Sequence, residues 1–211
     1  MRKPLLSALV ALLVVSAGCT GLITGETVAF ESEPATVEDS ARASSGYELT
    51  NSTEQNITRQ VTFAGQDRTI RVVNHVQQYQ RGVDLGPLGS IPLAQFVVVS
   101  TPGANVAGQT LNPAAQWSNR RVVEQLASRT GSVNDVQSEG NRTAEILGEP
   151  RDVGMFSGTV TVQGQEIDVT MHVASFEHEG DVLVVLAVHP DQINERARVD
   201  TMFGGITHSG D

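Results

Sequence analysis

Residues 160–176, VTVQGQEIDVTMHVASF, read as a strand, a glycine-bearing turn and a longer strand. A short β-rich run, a turn built on Gly164, then alternation through Val169-Thr170-Met171-His172-Val173 is the pattern of a hairpin with one buried and one wetter face. Residues 61–79, VTFAGQDRTIRVVNHVQQY, repeat it. Val61-Thr62 matches Val160-Thr161, and Gly65-Gln66 matches Gly164-Gln165. After two residues drop out of the second copy, Ile70 matches Ile167, His75-Val76 matches His172-Val173, and Tyr79 matches Phe176. The hydrophobic pattern is common to hairpins, so the Gly-Gln and His-Val matches carry the specificity.

The parallel extends beyond the hairpins. Ala94–Pro102 (AQFVVVSTP) and Asp181–Pro190 (DVLVVLAVHP) are apolar strands closed by proline. A helix follows each. In the first, Asn112 caps, Pro113 takes the first helical position and Gly131 lies past the end, with Ala115, Val122, Val123 and Leu126 on one face. In the second, Ile193, Ala197, Val199 and Phe203 share a face. The expectation is an α+β fold: an antiparallel sheet built from two β-β-β-α repeats, about 57–130 and 152–205, with both helices packed on one face. Residues 46–211 then form a single domain, with a further strand near Ser132–Gly148. Ahead of it, residues 19–45 read as a linker with a strand over Glu26–Ser32 and a short helix over Thr36–Ala43, capped by Thr36. Ser44–Thr58 is polar and reads as loop or edge.

The first residues carry an address. Arg2 and Lys3 precede an uncharged apolar run from Leu5 to Ala17, which is shorter than the roughly 20 residues a membrane-spanning helix needs. Small residues Ser16-Ala17-Gly18 then lead into Cys19, the chain's only cysteine. This is the pattern of a signal peptide over residues 1–18, and it resembles a lipobox, in which the cysteine takes a lipid and becomes the new N-terminus. Twin arginines are absent, which favours the general secretory route. The expected location is the outer face of the cell membrane, held by lipid on Cys19.

Charge fits life outside the cell. The chain carries 14 Lys and Arg against 24 Asp and Glu. Without Arg2 and Lys3, 12 arginines face the same 24 acids, a formal charge of −12. Lys3 is the only lysine. Lysine exclusion with excess carboxylate suits very high salt, where the Debye length falls to about 3 Å and like charges cease to repel. Such a surface argues against nucleic acid as a partner. With no second cysteine, neither an intramolecular disulfide nor a thiolate metal site can form. Asn51, Asn56 and Asn141 head Asn-x-Ser/Thr sequons and are candidate N-glycosylation sites.

Chemistry is harder to find. No Gly-x-Ser-x-Gly elbow, phosphate-binding Gly-x-x-x-x-Gly-Lys loop or His-Glu-x-x-His helix occurs. His172 and His178 fall on one face of an unbulged strand, and with Glu177 they make a thin case for a divalent metal. Glu177–Gly180 is a turn, where solvated charge is the ordinary reading, so no metal, cofactor or catalytic residue is assigned. His75 and His172 recur with their framework, which favours structural duty for both. Trp117 falls off the apolar stripe of its helix, and packing under the neighbouring loop is favoured over partner binding.

Several segments together are distinctive: SAGCTGL at 16–22, GYELTN from residue 46, VDLGPLGS at 83–90, VVVSTPG at 97–103, and the HV…F and VHP segments of the second half. On these the chain resembles an uncharacterised family of haloarchaeal secreted lipoproteins, a domain of unknown function. The resemblance implies archaeal origin, export and lipid anchoring, and transfers no activity. More distantly, the strand-strand-strand-helix units look like the Mog1/PsbP type of αβα sandwich, a binding scaffold. The function expected is a non-catalytic binding or accessory module at the cell surface, partnered by an unidentified protein or small hydrophobic molecule. A carrier of a lipid or other hydrophobic ligand is the alternative, and an unrecognised hydrolase a second.

Overall fold

The structure, a computed structural model, describes residues 27–63, 66–84, 90–106, 109–110, 112–130, 133–162 and 164–209. The expected signal peptide over residues 1–18 and the expected lipid site Cys19 lie outside the described residues. In chain order, β1 (Val28–Glu31), β2 (Thr36–Val37) and α1 (Asp39–Ser45) lead into β3 (Glu48–Phe63), β4 (Gln66–Asp84) and β5 (Ser90–Pro102). Two short strands, β6 (Asn105–Val106) and β7 (Gln109–Thr110), precede a 3₁₀ turn at Pro113–Gln116 and α2 (Asn119–Thr130). Then come β8 (Val133–Ile146), β9 (Glu149–Val162), β10 (Gln165–His178), β11 (Asp181–Pro190), α3 (Arg196–Gly204) and β12 (Ile206–Thr207).

Eight strands form one mixed sheet in the order β1-β4-β5-β11-β10-β9-β8, with β3 paired to β4. All these pairings are antiparallel except that of β1 with β4, which is parallel. Strands β5 and β11 meet at the centre, from Asp181↔Pro102 to Val188↔Gln95. Strands β3 and β8 are edges, and their side chains are mostly exposed. Ser44–Thr58 thus supplies most of an edge strand. Its Thr and Ile residues keep β propensity where both faces meet water.

The fold is mostly β, which corrects the expected α+β arrangement with helices on one face. Among the described residues the three helices are short, and they divide between the faces. Ala41 of α1 and Val199, Met202 and Phe203 of α3 pack with Phe96, Ala174, Leu183, Val185 and Ala187. On the opposite face, Val122 and Val123 of α2 pack with Phe156, Met171 and Val173. The reason lies in β11. Its even positions Val184, Leu186 and Val188 face α2, while Leu183, Val185 and Ala187 face α1 and α3, so both faces are apolar and both need cover. The alternation in β10 misleads for the same reason. His172 holds a polar position of the pattern, yet it is buried like Met171 and Val173.

Two local differences have plain causes. Asn112 does cap, accepting the Ala114 N–H at 2.9 Å, but the turn it starts is 3₁₀ and ends at Trp117, and α2 begins afresh at Asn119. Thr36 is drawn into β2 by pairing with Thr207 of β12, so α1 starts only at Asp39.

Candidate functional site

The sheet splits at one end, and a groove opens there. Strands β9 and β10 pair from Gln165↔Val162 to Val173↔Gly154 and then part. Beyond that point β9 continues against β8 to Glu149, and β10 against β11 to His178. A groove of about 540 Å³ occupies the gap, lined by Trp117, Asn119, Arg120, Arg151, Phe156 and Phe176 among others. The Arg151 guanidinium lies 4.4 Å over the Phe176 ring and bridges the split. Asn119 donates from Nδ2 to the Asp152 carbonyl at 3.2 Å, which ties the start of α2 to the groove wall. Trp117, half-buried, contributes its indole to the groove as well as packing against the α2-side core. Aromatic faces, guanidinium groups and amides therefore converge on one open site.

Histidines gather in two places. His172 is buried and stacks on His189, with ring centroids 5.4 Å apart and Nε2 atoms 3.3 Å apart. His189 Nδ1 lies 2.9 Å from the Pro190 carbonyl, an acceptor only, so Nδ1 carries its proton. A neutral His189 then accepts at Nε2 from His172 Nε2–H. That leaves His172 Nδ1 as a bare lone pair, buried and without a partner among the described residues. Burial pushes the His172 pKa down to about 3, with nearby Arg142 adding to the effect.

The second gathering is at the β10–β11 turn. His178 Nδ1 lies 2.9 Å from His208 Nδ1, and His208 Nε2–H donates to Asp181 Oδ2 at 3.1 Å. The same carboxylate oxygen accepts the Glu33 N–H at 2.9 Å and the Ser100 hydroxyl at 3.4 Å. Residues Glu179 (φ 49°) and Gly180 (φ 88°) form a two-residue turn that sets His178 opposite Asp181. The Glu179 carboxylate reaches 3.9 Å from His178 Nδ1.

The residues singled out in the sequence are thus dispersed. His172 and His178 both face the α1/α3 side of β10 but join different clusters, and Glu177 is exposed. His75, the repeat counterpart of His172, is half-buried and pairs across strands with Glu54 and Ser100. Asn51 and Asn56 are exposed on β3 and Asn141 on β8. Sequence reasoning missed Asp181, His189 and His208. Reading His178-Glu179-Gly180-Asp181 as a tight hairpin turn would have paired Asp181 with His178. Nothing in the sequence brings in His208.

No curated protein matches the chain by sequence. Among solved structures, LpqN of Mycobacterium tuberculosis, described as involved in cell envelope biogenesis, is similar at 10% identity and a TM-score of 0.35, covering 76% of this chain and 89% of that one. PA94 of Pseudomonas aeruginosa, a protein of unknown function described as a putative regulator, is similar at 11% identity and a TM-score of 0.27, covering 64% and 84%. Likeness this remote carries neither architecture nor activity across. The family model of a domain of unknown function (DUF6517) matches residues 34–207, most of the chain. The protein belongs to that family.

Proposed function

We propose that the protein is an exported, lipid-anchored binding module on the outer face of the cell membrane, and that it is not an enzyme. The observation that carries this reading is the run from Arg2 to Cys19: two cations, an uncharged apolar segment, small residues, then the chain's only cysteine. Its placement supports a tether. The family domain begins at residue 34, so Cys19 precedes it by a short segment that can hold the domain off the membrane. No helix among the described residues is long and apolar enough to cross a membrane. The −12 charge after removal of residues 1–18 and the absence of further lysine suit a high-salt exterior and archaeal origin.

The groove in the split sheet is the surface that takes the partner. Its aromatic rings offer stacking area, and Arg120, Arg151 and Asn119 offer hydrogen bonds, which suits a ligand polar at its rim and flat at its centre. The carrier reading finds less support, because the apolar faces of the sheet are filled by the helices and the groove is polar along much of its lining.

Fractionation of cells carrying the wild-type chain or Cys19→Ser tests the proposal. The wild type should stay with membranes until detergent is added, and the variant should appear in the medium or remain as unprocessed precursor. Identical partition of the two into a soluble fraction would overturn the reading.

A further inference from the structure

We propose that His178, His208 and Glu179 form a binding site for a divalent transition metal of the zinc class, with Asp181 as the positioning residue behind His208. The side chains come from three places in the chain: the end of β10, the β10–β11 turn, and the segment after β12. One ligand atom from each of the three lies within 4.8 Å of the others.

The tautomers decide the chemistry. Asp181 takes the proton side of His208 at Nε2, so His208 turns the lone pair of Nδ1 toward His178 Nδ1, 2.9 Å away. Two nitrogens at that distance need something positive between them, either one proton or one cation. A tetrahedral zinc with Zn–N bonds of about 2.0–2.1 Å holds its nitrogens roughly 3.3 Å apart, so a small opening admits it. The Glu179 oxygen at 3.9 Å from His178 Nδ1 closes inward by a similar amount.

The support behind the ligands is that of a metal site. A carboxylate on the far nitrogen of a ligating imidazole fixes the ring and raises its basicity. Asp181 is itself held by the Glu33 N–H and the Ser100 hydroxyl, and the His208 side chain is fully buried. His178 and Glu179 are 22% and 52% exposed, so the fourth position faces solvent and takes water or a ligand group. Two imidazoles and one carboxylate select zinc or cobalt over magnesium and calcium, which take oxygen ligands.

The test uses the full chain stripped with a chelator and titrated calorimetrically with zinc, cobalt and magnesium ions. One equivalent of zinc or cobalt should bind, cobalt should show the intense visible bands of low coordination, and magnesium should give no heat. His178→Gln, at a partly exposed position, should weaken zinc binding by about 100-fold or more, while Glu177→Gln binds like the wild type. Circular dichroism of each variant confirms the fold. Asp181→Asn should cost about 10- to 100-fold with the stoichiometry kept. The proposal is overturned if the wild type takes no zinc, or if His178→Gln binds as the wild type does. It is equally overturned if His189→Asn abolishes binding that His178→Gln leaves intact, since the metal then belongs to the other pair.

Discussion

Arg81 of β4 grips the carboxylate of Glu195 with two prongs, Nη2 to Oε1 and Nε to Oε2, the latter at 3.1 Å. The pair joins the end of the first long hairpin to the residue that precedes α3. Glu195 is 2% exposed, whereas the Arg81 side chain keeps 20%. Arg198 adds a longer contact to the same carboxylate at 3.4 Å.

Breaking this pair from the arginine side leaves the buried carboxylate with the longer contact to the more exposed Arg198. Arg81→Met should therefore cost about 3–5 kcal/mol in chemical denaturation. The double variant Arg81→Met/Glu195→Leu should recover much of that, because no charge is left buried. A double variant no more stable than the single would contradict this reading of the pair.

Acid should weaken the fold through His172. In the folded chain it stays neutral down to about pH 3, whereas in the unfolded chain it takes a proton near 6.5. Between those values the unfolded state binds more protons, so stability is whole above pH 6.5 and falls as pH drops toward 3. One proton of difference gives a slope of up to about 1.4 kcal/mol per pH unit. Urea midpoints measured across that window should decline in the wild type and flatten in His172→Gln.

Neighbouring glycines should behave oppositely. A Cβ on Gly205 would lie 2.2 Å from the Ala41 Cβ, where α1 meets the end of α3, while one on Gly204 meets nothing within 4 Å. Gly205→Ala should lower stability by about 1–3 kcal/mol, and Gly204→Ala should leave it unchanged or slightly raised. Equal melting temperatures for the two would contradict the close packing of α1.

The sequons sit on both free edges of the sheet, Asn51 and Asn56 on β3 and Asn141 on β8. Glycans there would block edge-to-edge pairing. Glycopeptide mass spectrometry of native protein should find all three occupied, and the triple Asn→Gln variant should self-associate more readily in sedimentation. Bare peptides at every site would remove this role.

What could be read in advance follows physical locality. The β9–β10 hairpin is legible because Gly164 marks the turn between Val162 and Gln165, which pair directly. The helix faces are not, because alternation in β10 suggests a wet side that burial of His172 denies. The unbroken run Val182–Val188 held the opposite signal, that both faces are covered. Candidate sites were less legible still. His178 and His208 lie 30 residues apart, and the pairing of β12 with β2, far away in sequence, helps fix the chain just ahead of His208.

Membrane anchoring of this protein depends on where the native chain starts and what it carries there. Intact and N-terminal peptide mass spectrometry of protein extracted from native membranes should find Cys19 as the first residue, bearing a lipid on its sulfur. A first residue of Met1, or a Cys19 thiol that still reacts with alkylating reagent, would contradict it.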